Sequence, residues 1–141
     1  MQWRSDLIGY DTLNSYGSPS YYAQVMFSNH IGKEIVASTV NGGGPRFFYS
    51  ATKDPGAGVL YLKLVNASSI PQPVDIKLGG AGSVDSSAKV ITLSAKTTQD
   101  TNSITDPKRI VPVESTFHGV KDNFSYTVPA YAIQILEVKL K

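Results

Sequence analysis

The sequence of 141 residues contains no cysteine, and several other features are missing or scarce. Without cysteine there is no disulfide framework and no thiolate metal site. No apolar run approaches the roughly 20 residues that a membrane-spanning helix needs. The formal net charge is only +2, and the basic residues stand singly apart from Lys108-Arg109. No basic stripe is therefore expected to neutralise phosphates, and we predict neither a nucleic-acid nor a membrane partner.

Residue types that commonly perform acid–base or metal chemistry are few. The glutamates are Glu34, Glu114 and Glu137, and the histidines are His30 and His118. Exposed strand faces are normally polar, so the glutamates are interpreted as solvent-facing. Acid–base hydrolysis of a sugar requires two carboxyl groups, one with a raised pKa and one that stays ionised. No two of these glutamates form an evident pair of that kind. His30 is interpreted as a partner of a helix dipole, and His118 as a turn residue. We predict no catalytic, cofactor-binding or metal-binding residue, and no cofactor.

The N-terminal part of the chain predicts a strand followed by a helix. Residues 6–11 (DLIGYD) form a short apolar run that is typical of a buried strand. Ser18 can cap a helix that has Pro19 in its first turn, and Gly32 is interpreted as its left-handed stop. One face of this helix is apolar at helical spacing: Tyr22, Val25 and Met26, extended by Asn29 or His30.

The rest of the chain has the pattern of strands separated by Gly- and Pro-rich turns. The predicted strands are 34–40, 46–52, 59–66, 74–78, 89–94, 124–128 and 133–140. Six to eight such strands indicate a mainly β fold, an antiparallel β-sandwich. The connection 95–117 is long enough to be a functional or interface segment, with a short edge strand at 110–113. Within it, residues 100–106 only loosely resemble a calcium loop and are interpreted as a polar turn.

Aromatic side chains allow two interpretations. The candidates are Phe47, Phe48, Tyr49, Tyr61, Phe124, Tyr126 and Tyr131. On alternating strands such side chains usually fill the core, but two or three of them on one exposed sheet face would make a sugar-binding platform.

Four groups of residues together resemble α-L-arabinofuranosidases of glycoside hydrolase family 51. They are WRSDLIGYD (3–11) with YGSPSYY (16–22) and Phe27; YSAT (49–52) with LYLKLVN (60–66); Thr101-Asn102-Ser103 through Pro107 to Val111-Pro112; and FSYTVPA (124–130). The family motifs that they match are W-x-P-D-L-I, Y-G-x-P-S-Y-Y/W, N-S-x-x-x-P-x-x-V-x-P and f-x-y-x-x-P-A. Ser5 stands where proline is usual, and Tyr131 replaces a common serine.

The resemblance implies that residues 1–32 are the last strand–helix unit of a (β/α)8 catalytic barrel and that 33–141 are a jelly-roll-like C-terminal sandwich. The parent would be a retaining hydrolase that releases terminal arabinofuranosyl units from arabinose-containing polysaccharides, as in hemicellulose degradation. Its two catalytic glutamates would lie on earlier barrel strands, so this chain alone is expected to be inactive. Residues 14–16 would lie nearest the sugar.

The resemblance further implies that the barrel is the main partner and that the parent forms homo-oligomers. The alternatives are an accessory carbohydrate-binding module, whose partner would be an arabinose-containing glycan, and an independent small enzyme. Without its barrel partners, the apolar face at Tyr22, Val25 and Met26 is expected to pack on the sandwich, self-associate or fray.

Overall fold

The computed structural model describes residues 6–39, 44–80 and 82–141, and these residues form ten strands and one helix. Their bounds are β1 Ile8–Tyr10, β2 Ser15–Gly17, α1 Pro19–Asn29, β3 Glu34–Ile35, β4 Phe47–Asp54, β5 Val59–Asn66, β6 Gln72–Lys77, β7 Val84–Ser94, β8 Val113–His118, β9 Asn123–Val128 and β10 Ala132–Leu140. Parts of four predicted features lie outside the described residues: 3–5 of the first motif, Val40 of the first sandwich strand, residues 41–43 of the first Gly-rich turn and residue 81 of a later one.

The strands form one large antiparallel sheet and two small ones. The large sheet has the order β3-β4-β5-β10-β7-β8, with β10 at its centre between β5 and β7. Strands β6 and β9 pair separately, and β1 pairs with β2. Eight strands therefore follow the helix, which agrees with the predicted six to eight.

The main core lies between the large sheet and the β6-β9 pair. Along β5 the side chains of Leu60, Leu62 and Leu64 enter this core. On β10, Leu136 and Val138, which pair with Leu62 and Leu60, enter it too. Phe124 and Tyr126 reach it from β9 on the other side. Such period-2 alternation is what two facing antiparallel sheets require. The mainly β, antiparallel prediction is confirmed, and the layering is consistent with a sandwich.

The connection after β7 differs from the prediction. The predicted edge strand at 110–113 is wrong, because both backbone groups of Ile110 are bonded to the side chain of Asn102 and Pro112 has no N–H to offer. The edge strand is instead β8, which begins at Val113. His118 is its last residue rather than part of a turn.

The predicted N-terminal strand is present as β1, but it is not buried. Leu7 is 39% exposed, Ile8 is 49% exposed and Tyr10 is 77% exposed. Its only partner in the described chain is the three-residue strand β2, and no second layer covers it. No helix among the described residues is long and apolar enough to cross a membrane.

Candidate functional site

Helix α1 starts where the sequence predicts. The Ser18 hydroxyl accepts a hydrogen bond from the backbone N–H of Tyr21 at 3.2 Å, and Pro19 occupies the first turn. Gly17 precedes this cap, and a Cβ on it would lie 2.5 Å from the ring of Tyr21. The glycine of the Y-G-x-P-S-Y motif therefore has a packing role, because a side chain at position 17 would displace the Tyr21 ring that lies against it.

The helix packs on the outer face of the large sheet, opposite the main core. Met26 is 2% exposed and contacts a second apolar cluster made with Ile91, Leu93, Ile110 and Ile135. Because Val90 and Leu136 point into the main core, their neighbours Ile91 and Ile135 must point towards the helix. Of the outcomes expected for the apolar helix face, packing on the sheet is observed for Met26 and Tyr22, whereas Val25 lines an open groove beside the helix.

His30 fastens the C-terminal end of the helix to the sheet. Its Nδ1 contacts the carbonyl of Met26, and its Nε2 lies 2.9 Å from Oε1 of Glu137 on β10. The edge of the ring also meets Tyr61 at 5.6 Å between centroids. The predicted role of His30 at the helix end is confirmed, whereas Glu137 is wrongly predicted to face solvent, since its side chain is 24% exposed and bonded to His30.

Gly32 brings the chain from the helix to the edge of the large sheet. Its N–H donates to the Thr52 hydroxyl at 3.2 Å, and a Cβ would lie 2.7 Å from both Lys53 N and Thr52 Cβ. Gly32 has no left-handed φ, so its predicted role as a left-handed stop is wrong. The helix ends instead with the N–H of His30 bonded to the carbonyl of Phe27.

Asn102, in the long connection, ties this connection to the strand before the helix. Its side chain is 1% exposed. Nδ2 donates to the carbonyls of Gly17 and Ile110, both at 2.8 Å, and Oδ1 accepts from the N–H of Ile110 at 2.7 Å. One amide thus satisfies three backbone groups on two segments, and its bond to Gly17 joins residues 85 positions apart in the sequence.

An open groove of about 710 Å³ runs beside the helix. We call it the Lys63 groove. Its lining residues are Leu7, Tyr21, Gln24, Val25, Phe27, Ser28, Ile31 and Lys63. Except for Lys63, none of them carries a charge, and Ile31 is 68% exposed at its rim.

Lys63 is the unusual residue of this groove. It is 8% exposed, and its Nζ lies 5.7 Å from the centroid of the Phe27 ring. In the described part of the chain no carboxylate pairs with it and no acceptor bonds to it. Burial lowers the pKa of the Lys63 ammonium below its usual range, because the charged form is less well solvated there.

Comparison with known proteins identifies the family. The family described as "Alpha-L-arabinofuranosidase C-terminal domain" matches residues 2–132. The chain belongs to this family. The crystal structure of an arabinose-bound MgGH51 α-L-arabinofuranosidase contains the same fold, with a TM-score of 0.89 and 30% identity over 99% of this chain and 22% of that one.

The curated relatives of this arabinofuranosidase C-terminal domain are much longer. α-L-Arabinofuranosidase 1 of Arabidopsis thaliana is 24% identical over 97% of this chain and 21% of its own length. The extracellular exo-α-L-arabinofuranosidase of Streptomyces chartreusis is 42% identical over 62% of this chain and 10% of its own length. The domain thus spans about a fifth or less of these curated relatives.

Each glutamate of the domain is engaged by a basic side chain or a histidine. Glu34 pairs with Lys53 at 2.9 Å and Glu114 with Lys89 at 2.7 Å, both at exposed positions, while Glu137 is bonded to His30. No group of three or more His, Cys, Asp or Glu side chains in the described ranges is arranged to hold a metal ion.

The aromatic candidates are not assembled into a platform in the described chain. Phe124 and Tyr126 are buried in the main core. Tyr61 lies under the helix. Phe48 is 58% exposed and Tyr49 is 39% exposed, but as neighbours on β4 they point to opposite faces of the sheet. The buried aromatic side chains are therefore core residues, as expected. Phe48 and Tyr49 do not share one exposed sheet face, so they do not form a sugar-binding platform.

Two further segments form turns. Residues 11–14 turn around the Asp11 carboxylate, which accepts bonds from the N–H groups of Leu13 and Asn14; these bonds lower the pKa of Asp11. Within 100–106, the backbone N–H groups of Ser103 and Asp106 donate to each other's carbonyls at 3.1 and 3.2 Å, and the Asp106 N–H also lies 3.1 Å from the Ser103 hydroxyl that accepts from it, so the segment contains a polar turn, as predicted.

Sequence reasoning missed Lys63 and Asn102. A signal for Lys63 was available, because a lysine within the apolar run LYLKLVN must point to one of the two sheet faces, and both are largely covered. Asn102 lay within a recognised loop motif, but its partner Gly17 is too distant in sequence for any local pattern to reveal.

Proposed function

We propose that this chain is the non-catalytic C-terminal part of a family 51 retaining α-L-arabinofuranosidase. Residues 1–32 are the last strand–helix unit of its catalytic barrel, and 33–141 are its jelly-roll-like sandwich. The role of the chain is structural: it closes the barrel and covers barrel surface that would otherwise be exposed. The parent then releases terminal arabinofuranosyl units from arabinose-containing polysaccharides.

The observation that carries this proposal is the distribution of exposed apolar side chains. Most of the large exposed hydrophobic residues lie within 7–35: Leu7, Ile8, Tyr10, Leu13, Ile31 and Ile35. A concentration of exposed apolar side chains in one segment of the chain is what we expect where that segment contacts another part of the parent. A barrel strand and its loops, separated from their neighbours, would present such a surface.

Chemistry in the parent needs two carboxyl groups roughly 5 Å apart, one as nucleophile and one as acid/base. The glutamates described here are each engaged with a cation or a histidine on separate strands. This arrangement supports the proposal that both catalytic groups belong to the part of the parent outside this chain. A carbohydrate-binding role is less well supported, because Phe48 and Tyr49 face opposite ways.

The test compares this chain with the full-length parent on an aryl α-L-arabinofuranoside. We expect turnover by the parent and none by the chain. Co-expression of the chain with the preceding part of the parent should restore activity. Turnover by the chain alone would contradict the proposal, as would a coding sequence with no barrel upstream. Spectra that change on titration with arabinan oligosaccharides at millimolar concentration would favour the binding-module alternative.

A further inference from the structure

The Lys63 groove combines two energetically unfavourable features, an apolar surface exposed to water and a buried charge. Its walls at Leu7, Val25 and Phe27 are apolar, and its floor holds a cation. A buried charge is normally paired, because the attraction of a partner offsets the loss of hydration. Here the Phe27 ring is the nearest stabilising group, and at 5.7 Å a cation–π contact replaces only part of that hydration.

The strand positions next to Lys63 offer no carboxylate either. Its cross-strand partners are Ser50 on β4 and Ile135 on β10. Glu137, two positions further along β10, is bonded to His30. A partner of opposite charge for Lys63 would therefore come from outside the described residues.

We propose that a segment of the parent's catalytic domain fills the Lys63 groove and presents one carboxylate, surrounded by apolar side chains, that pairs with Lys63. This inference rests on the proposed function and adds the chemistry of the contact. The relatives are about five times longer than the part that this domain spans, so ample chain exists to supply such a segment.

A second copy of this chain fits the groove less well. In a two-fold symmetric contact each groove would face the same groove of the other copy. The lining residues include no carboxylate, so two lysines would be brought together without a counter-charge. Charge complementarity thus favours a different, acidic surface.

The experiment compares Lys63→Met in two settings, the 141-residue chain and the full-length parent, by thermal unfolding. In the chain the change removes an unpaired buried charge, so the midpoint should rise by roughly 3 °C. In the parent it leaves a carboxylate without its partner, so the midpoint should fall by roughly 3 °C or more. Lys63→Arg, which keeps the charge, should lower the unfolding midpoint of the parent less than Lys63→Met does.

Lys139→Met is the matched control, because Lys139 is exposed on β10, on the helix-facing side of the same sheet. It should shift neither midpoint. A rise in both settings after Lys63→Met would show that the lysine stays unpaired in the parent and would overturn the inference. A fall in both would place its partner within this chain and would overturn the inference as well.

Two outcomes separate this inference from the proposed function. If the parent has no barrel, the proposed function fails and the inference fails with it. If the barrel is present and active but the two midpoints shift in the same direction, only the inference fails. A dimer of the chain in sedimentation that Lys63→Met abolishes would assign the groove to a second copy and would also overturn the inference.

Discussion

Replacing Asn102 by alanine tests how the strand–helix unit is held to the sandwich. The change removes three hydrogen bonds of 2.7 to 2.8 Å and leaves the carbonyls of Gly17 and Ile110 and the N–H of Ile110 without partners. A hydrogen bond contributes about 1 kcal/mol net, and a buried group left unsatisfied costs about 1–3 kcal/mol. Because the Gly17 end is less deeply buried, we expect a loss of about 3–5 kcal/mol in the free energy of unfolding.

For a chain of this size each kcal/mol corresponds to about 3 °C, so the midpoint should fall by about 9–15 °C. Urea unfolding followed by far-ultraviolet circular dichroism measures the free energy directly. Hydrogen exchange locates the effect: the Ile110 amide and the amides of α1 should exchange faster, while those of β5 and β10 should change only through the global loss.

The matched control is Asn123→Ala, at an exposed position with no side-chain hydrogen bond in the described structure. It should alter stability by less than about 0.5 kcal/mol. A loss below about 1 kcal/mol for Asn102→Ala would refute the reasoning, because it would mean that water or a small loop shift satisfies the three backbone groups as well as the amide does.

Three further changes test other contacts. Gly32→Ala should cost about 2 kcal/mol in a urea titration, because the new methyl group meets the β4 backbone, whereas Gly79→Ala, with nothing within 4 Å, should be nearly neutral. His30→Ala should cost about 2 kcal/mol through its lost contacts with the helix end and β10, and His118→Ala, at an exposed strand end, should not. Asp54→Asn should flatten the acid limb of the stability–pH profile below about pH 4.

The sign of the last effect follows from the direction of the pKa shift. The hydrogen bond from Lys33, followed by bonds from backbone N–H groups, lowers the pKa of Asp54 below 3.8. Its stabilising contribution is therefore complete above the unfolded pKa and is lost as the pH falls through the folded pKa. An unchanged acid limb in the Asn variant, or equal losses within either the glycine or the histidine pair, would contradict the assignments.

Local signals were sufficient to predict the helix start and several strands. Ser18 and Pro19 define the beginning of α1 through chemistry within one turn, and β5 runs over the predicted residues because its turns and its apolar run agree. The same kind of reasoning failed for Gly32, whose role is set by the close approach of β4 rather than by the end of the helix.

Long-range contacts account for the remaining errors. The residues at 110–113 have strand-like composition, yet Asn102 takes up the backbone groups of Ile110 that a ladder would need. The apolar run at 6–11 indicates burial, but the described chain contains no layer to cover it. The composition of a segment indicates whether it needs an apolar partner. It does not indicate whether that partner lies within the same chain segment.

The central strands of the large sheet are apolar on both sides, and this affects where the molecule can be divided. Cutting the chain at residue 33, where the sequence motifs change, would strip the helix from Ile91, Leu93 and Ile135 and leave a bare hydrophobic wall. A protein engineer who transfers the sandwich to another enzyme should therefore move α1 and the strands before it as well. The smallest transferable module is set by the second apolar cluster, which the helix and the large sheet build together, and not by the change of sequence motifs at residue 33.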